Sequence, residues 1–187
     1  MNTLYAKCFL YAYTNLEDLC AQIDEIVLKR ALSSISDTSP AFEQYQRILD
    51  YTEQKKLYIK VKLIVSEALK SFTQDEINCI EYKYFMNKQI KKGNDFDTSS
   101  RAYFRRQSKL AEKFASVLEG MGINDDFYVN TCMKTNFFRE MVRRVKEYEA
   151  LSFKNKGRRR PHTVSLGCNY FANQKNTSKK RSSQAIA

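Results

Sequence analysis

Tryptophan is absent, histidine occurs once, proline twice and glycine five times in 187 residues. Each scarcity excludes something. So few Gly and Pro leave too few turn signals for a sheet of many short strands, and favour helices. One histidine, His162, and five scattered cysteines (Cys8, Cys20, Cys79, Cys132, Cys168) with no C-x-x-C offer no zinc ligand set. An odd, dispersed cysteine set suits reduced thiols, so a cytoplasmic setting is expected. Long apolar runs are missing too. Nothing reaches about 18 uninterrupted apolar residues, so no membrane span or membrane partner is expected. The apolar stretch 4–13 is broken by Lys7 and lacks a basic leader and a small-residue cleavage site, unlike a signal peptide. No phosphate-binding glycine loop or G-x-S-x-G occurs. The acidic pairs Asp75/Glu76 and Asp125/Asp126 fall at expected helix starts, where the macrodipole accounts for them. His162 stands beside Pro161 in a low-complexity tail, a poor place for a general base. The expectation is a non-enzymatic chain with no metal and no cofactor.

What is present is positive charge, unevenly placed. The net charge is +11. Residues 1–85 carry 10 basic and 12 acidic side chains, and 114–151 carry 5 and 6. Residues 86–113 carry 8 basic against 3 acidic, and 152–187 carry 9 basic and no acid. Two cationic blocks on a near-neutral body imply a polyanionic partner.

The apolar spacing predicts an all-α fold. Residues 4–32 are helical, with Thr14-Asn15 at a break and Leu16, Leu19, Cys20, Ile23, Ile26, Val27 and Ala31 on one face. Ser39-Pro40 opens a second long helix reaching about residue 70. Its apolar face starts with Phe42, Tyr45, Ile48 and Leu49 and continues with Leu57, Val61, Ile64, Val65 and Ala68. Two long helices and a short loop make an antiparallel hairpin. Thr73-Gln74-Asp75-Glu76 is a capping box, and Ile77, Ile80, Tyr84 and Phe85 continue that helix. A basic connector over 86–98 holds the turn signal Gly93-Asn94. A strong helix runs from about 99 to 119, ended by Gly120 and Gly122. Asn124 caps a short helix, and a closing helix spans about 136–151 with Phe137, Phe138, Met141, Val142, Val145 and Tyr148 inward. The expected domains are an N-terminal helical hairpin over 1–71, a helix-turn-helix region with its closing helix over 72–151, and a disordered basic tail over 152–187.

The helix after residue 99 carries the function. At ~100° per residue, Tyr103, Gln107, Leu110, Ala111, Phe114, Val117 and Leu118 share one arc. Arg101, Ala102, Arg105, Arg106, Lys109, Lys113 and Ser116 share the other. A cationic face with small residues suits the major groove. Arginine can make paired hydrogen bonds to guanine there, and lysine can meet phosphate. Ser99 and Ser100 serve as helix caps and phosphate donors. Lys88, Lys91 and Lys92 in the connector and Arg158, Arg159 and Arg160 in the tail are candidate phosphate contacts, as is the run Lys179-Lys180-Arg181. The closing helix also holds Arg139, Arg143 and Arg144, but Glu140, Glu147 and Glu149 dilute them, so packing is its expected role.

Two segments, VSEALKSFTQDEINCIEYKYF (65–85) and SSRAYFRRQSKLAEKF (99–114), carry a resemblance. Ala68-Leu69, the capped helix Thr73 to Glu76, Ile80-x-x-Lys83-Tyr84-Phe85, Ser100 and Arg105-Arg106 follow the order seen in the fourth region of bacterial sigma factors. About 50 residues resemble that helix-turn-helix family and the phage-type regulators sharing it. Gly93 to Asp97 stands where the family's supporting helix carries Ile-Ala and Leu-Gly pairs, leaving Ile90 and Phe96 to pack. The resemblance implies major-groove binding to double-stranded DNA by Ser100, Arg101, Arg105, Arg106 and Lys109 in bacterial or phage transcription regulation. It also implies possible contact with RNA polymerase. A homodimer through the N-terminal hairpin is the other use open to that element. The competing expectation is a non-enzymatic RNA- or protein-binding adaptor with an incidental basic face.

Overall fold

The computed structural model describes residues 1–33, 41–85 and 101–154; side chains at 33 and 152–154 are not described. These residues form helices, with no strand among them. The α-helices are α1 (Thr3–Tyr13), α2 (Leu16–Ser33), α3 (Ala41–Leu69), α4 (Gln74–Ile80), α5 (Arg101–Gly120), α6 (Asp125–Asn130) and α7 (Asn136–Lys154). A π-helical turn, Glu81–Phe85, extends α4, and a 3-10 turn, Cys132–Lys134, precedes α7.

α1 is the central element. Ala6, Cys8, Phe9, Leu10 and Ala12 are all buried, on more than one face. A helix apolar nearly all round must be enclosed, and α1 packs on α7, α5, α3 and the π-helical turn. The Asn2 side chain caps it, accepting from Leu4 N–H at 2.9 Å. Thr14 and Asn15 then break the chain, and Leu16 starts α2 with Glu17 and Asp18 in its first turn.

α2 and α3 run antiparallel. Glu17 meets Lys62, Asp24 meets Lys55, and Arg30 lies over the Tyr51 ring, so partners on α3 descend as α2 advances. Leu16, Leu19 and Ile23 on α2 are buried, as are Tyr58, Val61, Val65 and Ala68 on α3. The first turns of α3 differ from expectation. Phe42 is 74% exposed, and Tyr45 and Leu49 are also exposed, while Gln44 is buried. The buried positions of α3 thus face another side of the helix from the one Phe42 opens.

α4 begins with the capping box. Thr73 Oγ1 accepts from Glu76 N–H, and Glu76 Oε2 accepts from Thr73 N–H at 3.0 Å. Beyond it, Tyr84 and Phe85 pack edgewise or tilted on α1 through Tyr11 and Tyr13, with ring centroids 4.6 and 5.1 Å apart. α5 closes in a left-handed turn. Gly122 has φ +79°, its N–H bonds the Glu119 carbonyl, and Ile123 N–H bonds the Leu118 carbonyl. This is the paired bonding that satisfies the last carbonyls of a helix. Asn124 caps α6 by accepting from Phe127 N–H. On α7, Phe137, Phe138, Met141, Val142 and Val145 are buried and Tyr148 is half-buried. One apolar cluster draws on α1, α2, α3, α4, α5, α6 and α7, from both sides of residue 71.

The connector at 86–100 and the tail from 155 onward lie outside the described residues. The expectations of a disordered tail and of a supporting helix for the helix-turn-helix fall there, as do Ser99, Ser100, Lys88, Lys91, Lys92, Arg158, Arg159 and Arg160, so all of these lie outside the described residues.

Candidate nucleic-acid interface

The sequence of α5 divides the helix lengthwise. Gln107, Leu110, Ala111, Phe114 and Leu118 are buried, with Tyr103 and Val117 half-buried beside them. Ala115 is buried as well. Arg101, Ala102, Arg105, Arg106, Lys109 and Ser116 are exposed. The cations among them lie within an arc of about 140° at helical spacing. From Arg101 to Lys109 the helix rises about 12 Å, comparable with the ~12 Å width of the B-DNA major groove.

Three contacts hold the inner face. Phe114 and Leu118 are fully enclosed in the core. Gln107 Nε2 donates to the Cys79 carbonyl at 2.8 Å, a buried bond between residues 28 apart. Cys79 lies just before the chain changes from α- to π-helical winding, and such a change disturbs the ladder of i→i+4 bonds. Gln107 supplies a donor at that point. Third, the half-buried Tyr103 ring meets Tyr82 of the π-helical turn edge-on, at 6.3 Å. Burial pushes the Tyr103 phenol up to about 12, so it is neutral at any physiological pH.

The cationic residues separate into two kinds. Lys113 Nζ donates to Glu76 Oε2 at 2.6 Å and stands 4.6 Å from the Phe72 ring centroid. Its charge is engaged in fastening α5 to α4, so it is not presented like the others. The Lys113 bond and the Thr73 N–H bond hold the Glu76 carboxylate below its ordinary pKa. Arg101, Arg105, Arg106 and Lys109 are exposed and make no ion pair among the described residues. Among the described residues of α5, the exposed carboxylates are Glu112, one turn beyond Lys109, and Glu119 near the helix end.

The closing helix uses its arginines internally. Glu140 accepts from Arg143 at 2.5 Å and from Arg144 at 2.9 Å, and Glu147 accepts from Arg143. The Arg143 and Arg144 bonds hold Glu140 down at about 2. Arg139 donates to Asn136. Arg143 and Arg144 are thus engaged by carboxylates of their own helix, while Glu149 accepts from Lys7 of α1.

The residue that sequence reasoning passed over is Phe104. It is 60% exposed, between Arg101 and Arg105 on the outer side of α5. Its only sequence signal is a large apolar residue off the apolar arc. Among the described residues, no cluster of His, Cys, Asp and Glu could hold a metal ion, and no helix is long and apolar enough to cross a membrane. No family model, no curated protein and no solved structure matches this chain.

Proposed function

We propose that this chain binds double-stranded DNA with sequence preference and regulates transcription in a bacterial or phage cytoplasm, with α5 as the reading helix. One observation carries the reading. Four exposed cations, Arg101, Arg105, Arg106 and Lys109, share one face of a helix whose other face is anchored in the core. A rigid helix loses little freedom on docking, so its contacts are retained as affinity. Ala102 between the arginines lets the backbone approach base edges. The resemblance of residues 65–85 and 99–114 to the sigma-factor fourth region supports the same use. The distal hairpin, where Leu28, Leu32, Phe42 and Tyr45 are exposed, is the surface we assign to protein contact, with RNA polymerase or a second copy.

The test is selection of bound duplexes from a random DNA pool by the full chain at near-physiological salt. An enriched motif is expected. Reversing charge with Arg105→Glu and Arg106→Glu should abolish the preference while helical circular dichroism is unchanged, since both side chains are exposed. Site preference retained in that double variant removes α5 as the reader. Preference for structured or single-stranded RNA over every duplex replaces the reading with an RNA adaptor.

A further inference from the structure

We infer that Phe104 is an apolar base reader that contacts the 5-methyl group of a thymine in the major groove. The inference rests on the duplex-DNA reading above and adds to it a residue and a base. Among the exposed residues of α5, Phe104 is the one large apolar side chain; the others are Arg101, Ala102, Arg105, Arg106, Ser108, Lys109, Glu112, Ser116, Glu119 and Gly120. It falls three residues after Arg101 and four before Ser108, so the three are neighbours on one strip of the helix surface. Arg105 flanks that strip. A groove floor met by this strip receives hydrogen-bond donors and one aromatic face together.

Phe104 is also held in place. Its ring stands edge-on to Tyr103, with centroids 5.6 Å apart, and Tyr103 stands edge-on to the buried Tyr82. Three rings thus step outward from the π-helical turn to the surface. A braced aromatic loses little rotamer freedom on docking, which favours its use in contact. In the major groove, only thymine offers an apolar group, its C5-methyl. The flanking arginines suit neighbouring guanines, so the site expected is a thymine adjoining G·C pairs.

The experiment uses the full-length chain and the duplex enriched in the pool selection. Each thymine is replaced in turn by deoxyuridine, which removes only the methyl. One position should then bind about three- to fivefold more weakly, the loss expected for one buried methyl. In Phe104→Ala the same replacement should change nothing, while Phe104→Leu, which keeps an apolar side chain, should retain part of the sensitivity. Both variants should fold, because the ring is mostly exposed. An enriched duplex insensitive to every methyl removal overturns this inference and leaves the DNA reading standing. So does equal sensitivity in Phe104→Ala. No enriched duplex, or tighter binding to single strands, overturns both.

Discussion

Gly122 ends α5 with φ +79°, and a Cβ built there meets nothing within 4 Å. Its requirement is therefore conformational rather than steric. Gly122→Ala should cost about 1 kcal/mol through the left-handed backbone alone. A thermal melt should show a fall of about 2–4 °C for a chain of this size; an unchanged midpoint would remove the left-handed turn as a constraint. The positions of Gly122, Thr73, Glu76 and Asn124 were legible in the sequence because caps and stops act over three or four residues. The Lys113–Glu76 bond was not, because its partners are 37 residues apart. Nothing local distinguishes a lysine that fastens two helices from one offered to phosphate.

α7 is an amphipathic helix in which Arg143 and Arg144 pair with carboxylates of the same helix. Glu140 has its pKa depressed to about 2 from 4.5 by Arg143 and Arg144. A depressed carboxylate stabilises the fold above its ordinary pKa, and that contribution is lost as pH falls through the folded value. The window is thus from about pH 4.5 down to 2, and Glu76, shifted the same way, adds to it. Glu140→Gln should destabilise by about 1 kcal/mol at pH 7, allowing for solvent screening. The difference from the native chain should vanish below pH 2 when melts are compared across pH. A difference independent of pH would mean that Glu140 acts by packing.

Helix identity was readable at this scale from periodicity, including the inward face of α7 and both arcs of α5. Two features were not. The π-helical turn after Ile80 has no periodic signature, since Tyr82, Tyr84 and Phe85 read equally well as a continuation of α4. The start of α3 misled because Phe42, Tyr45 and Leu49 repeat at helical spacing, yet Gln44 is the residue turned inward. Spacing identifies a face; only a neighbour decides whether that face is covered.

Across the whole molecule, charge is segregated from the core. The described helices enclose one apolar cluster, while residues 155–187 contribute eight basic side chains and no acid. Truncation after Lys154 leaves α7 complete. It should weaken binding to all duplexes alike and flatten the dependence of log affinity on log salt, by about 0.9 for each phosphate that the tail no longer neutralises. Binding titrations at several salt concentrations measure this. A changed sequence preference would make the tail a reader, contrary to the assignment of α5.

α1 is enclosed by helices that come much later in the chain. Phe9 packs against Tyr128 and Phe138, and Lys7 bonds Glu149. Such contacts raise the contact order, and a large loop must close before they repay its entropy. During synthesis α2 and α3 can pair early, and α5 meets α1, α3 and α4 as soon as it emerges, but α1 stays partly uncovered until α7 follows. The enclosed form of α1 is therefore a late product of translation, and a nascent chain stopped before residue 136 would leave Phe9 without Phe138 against it.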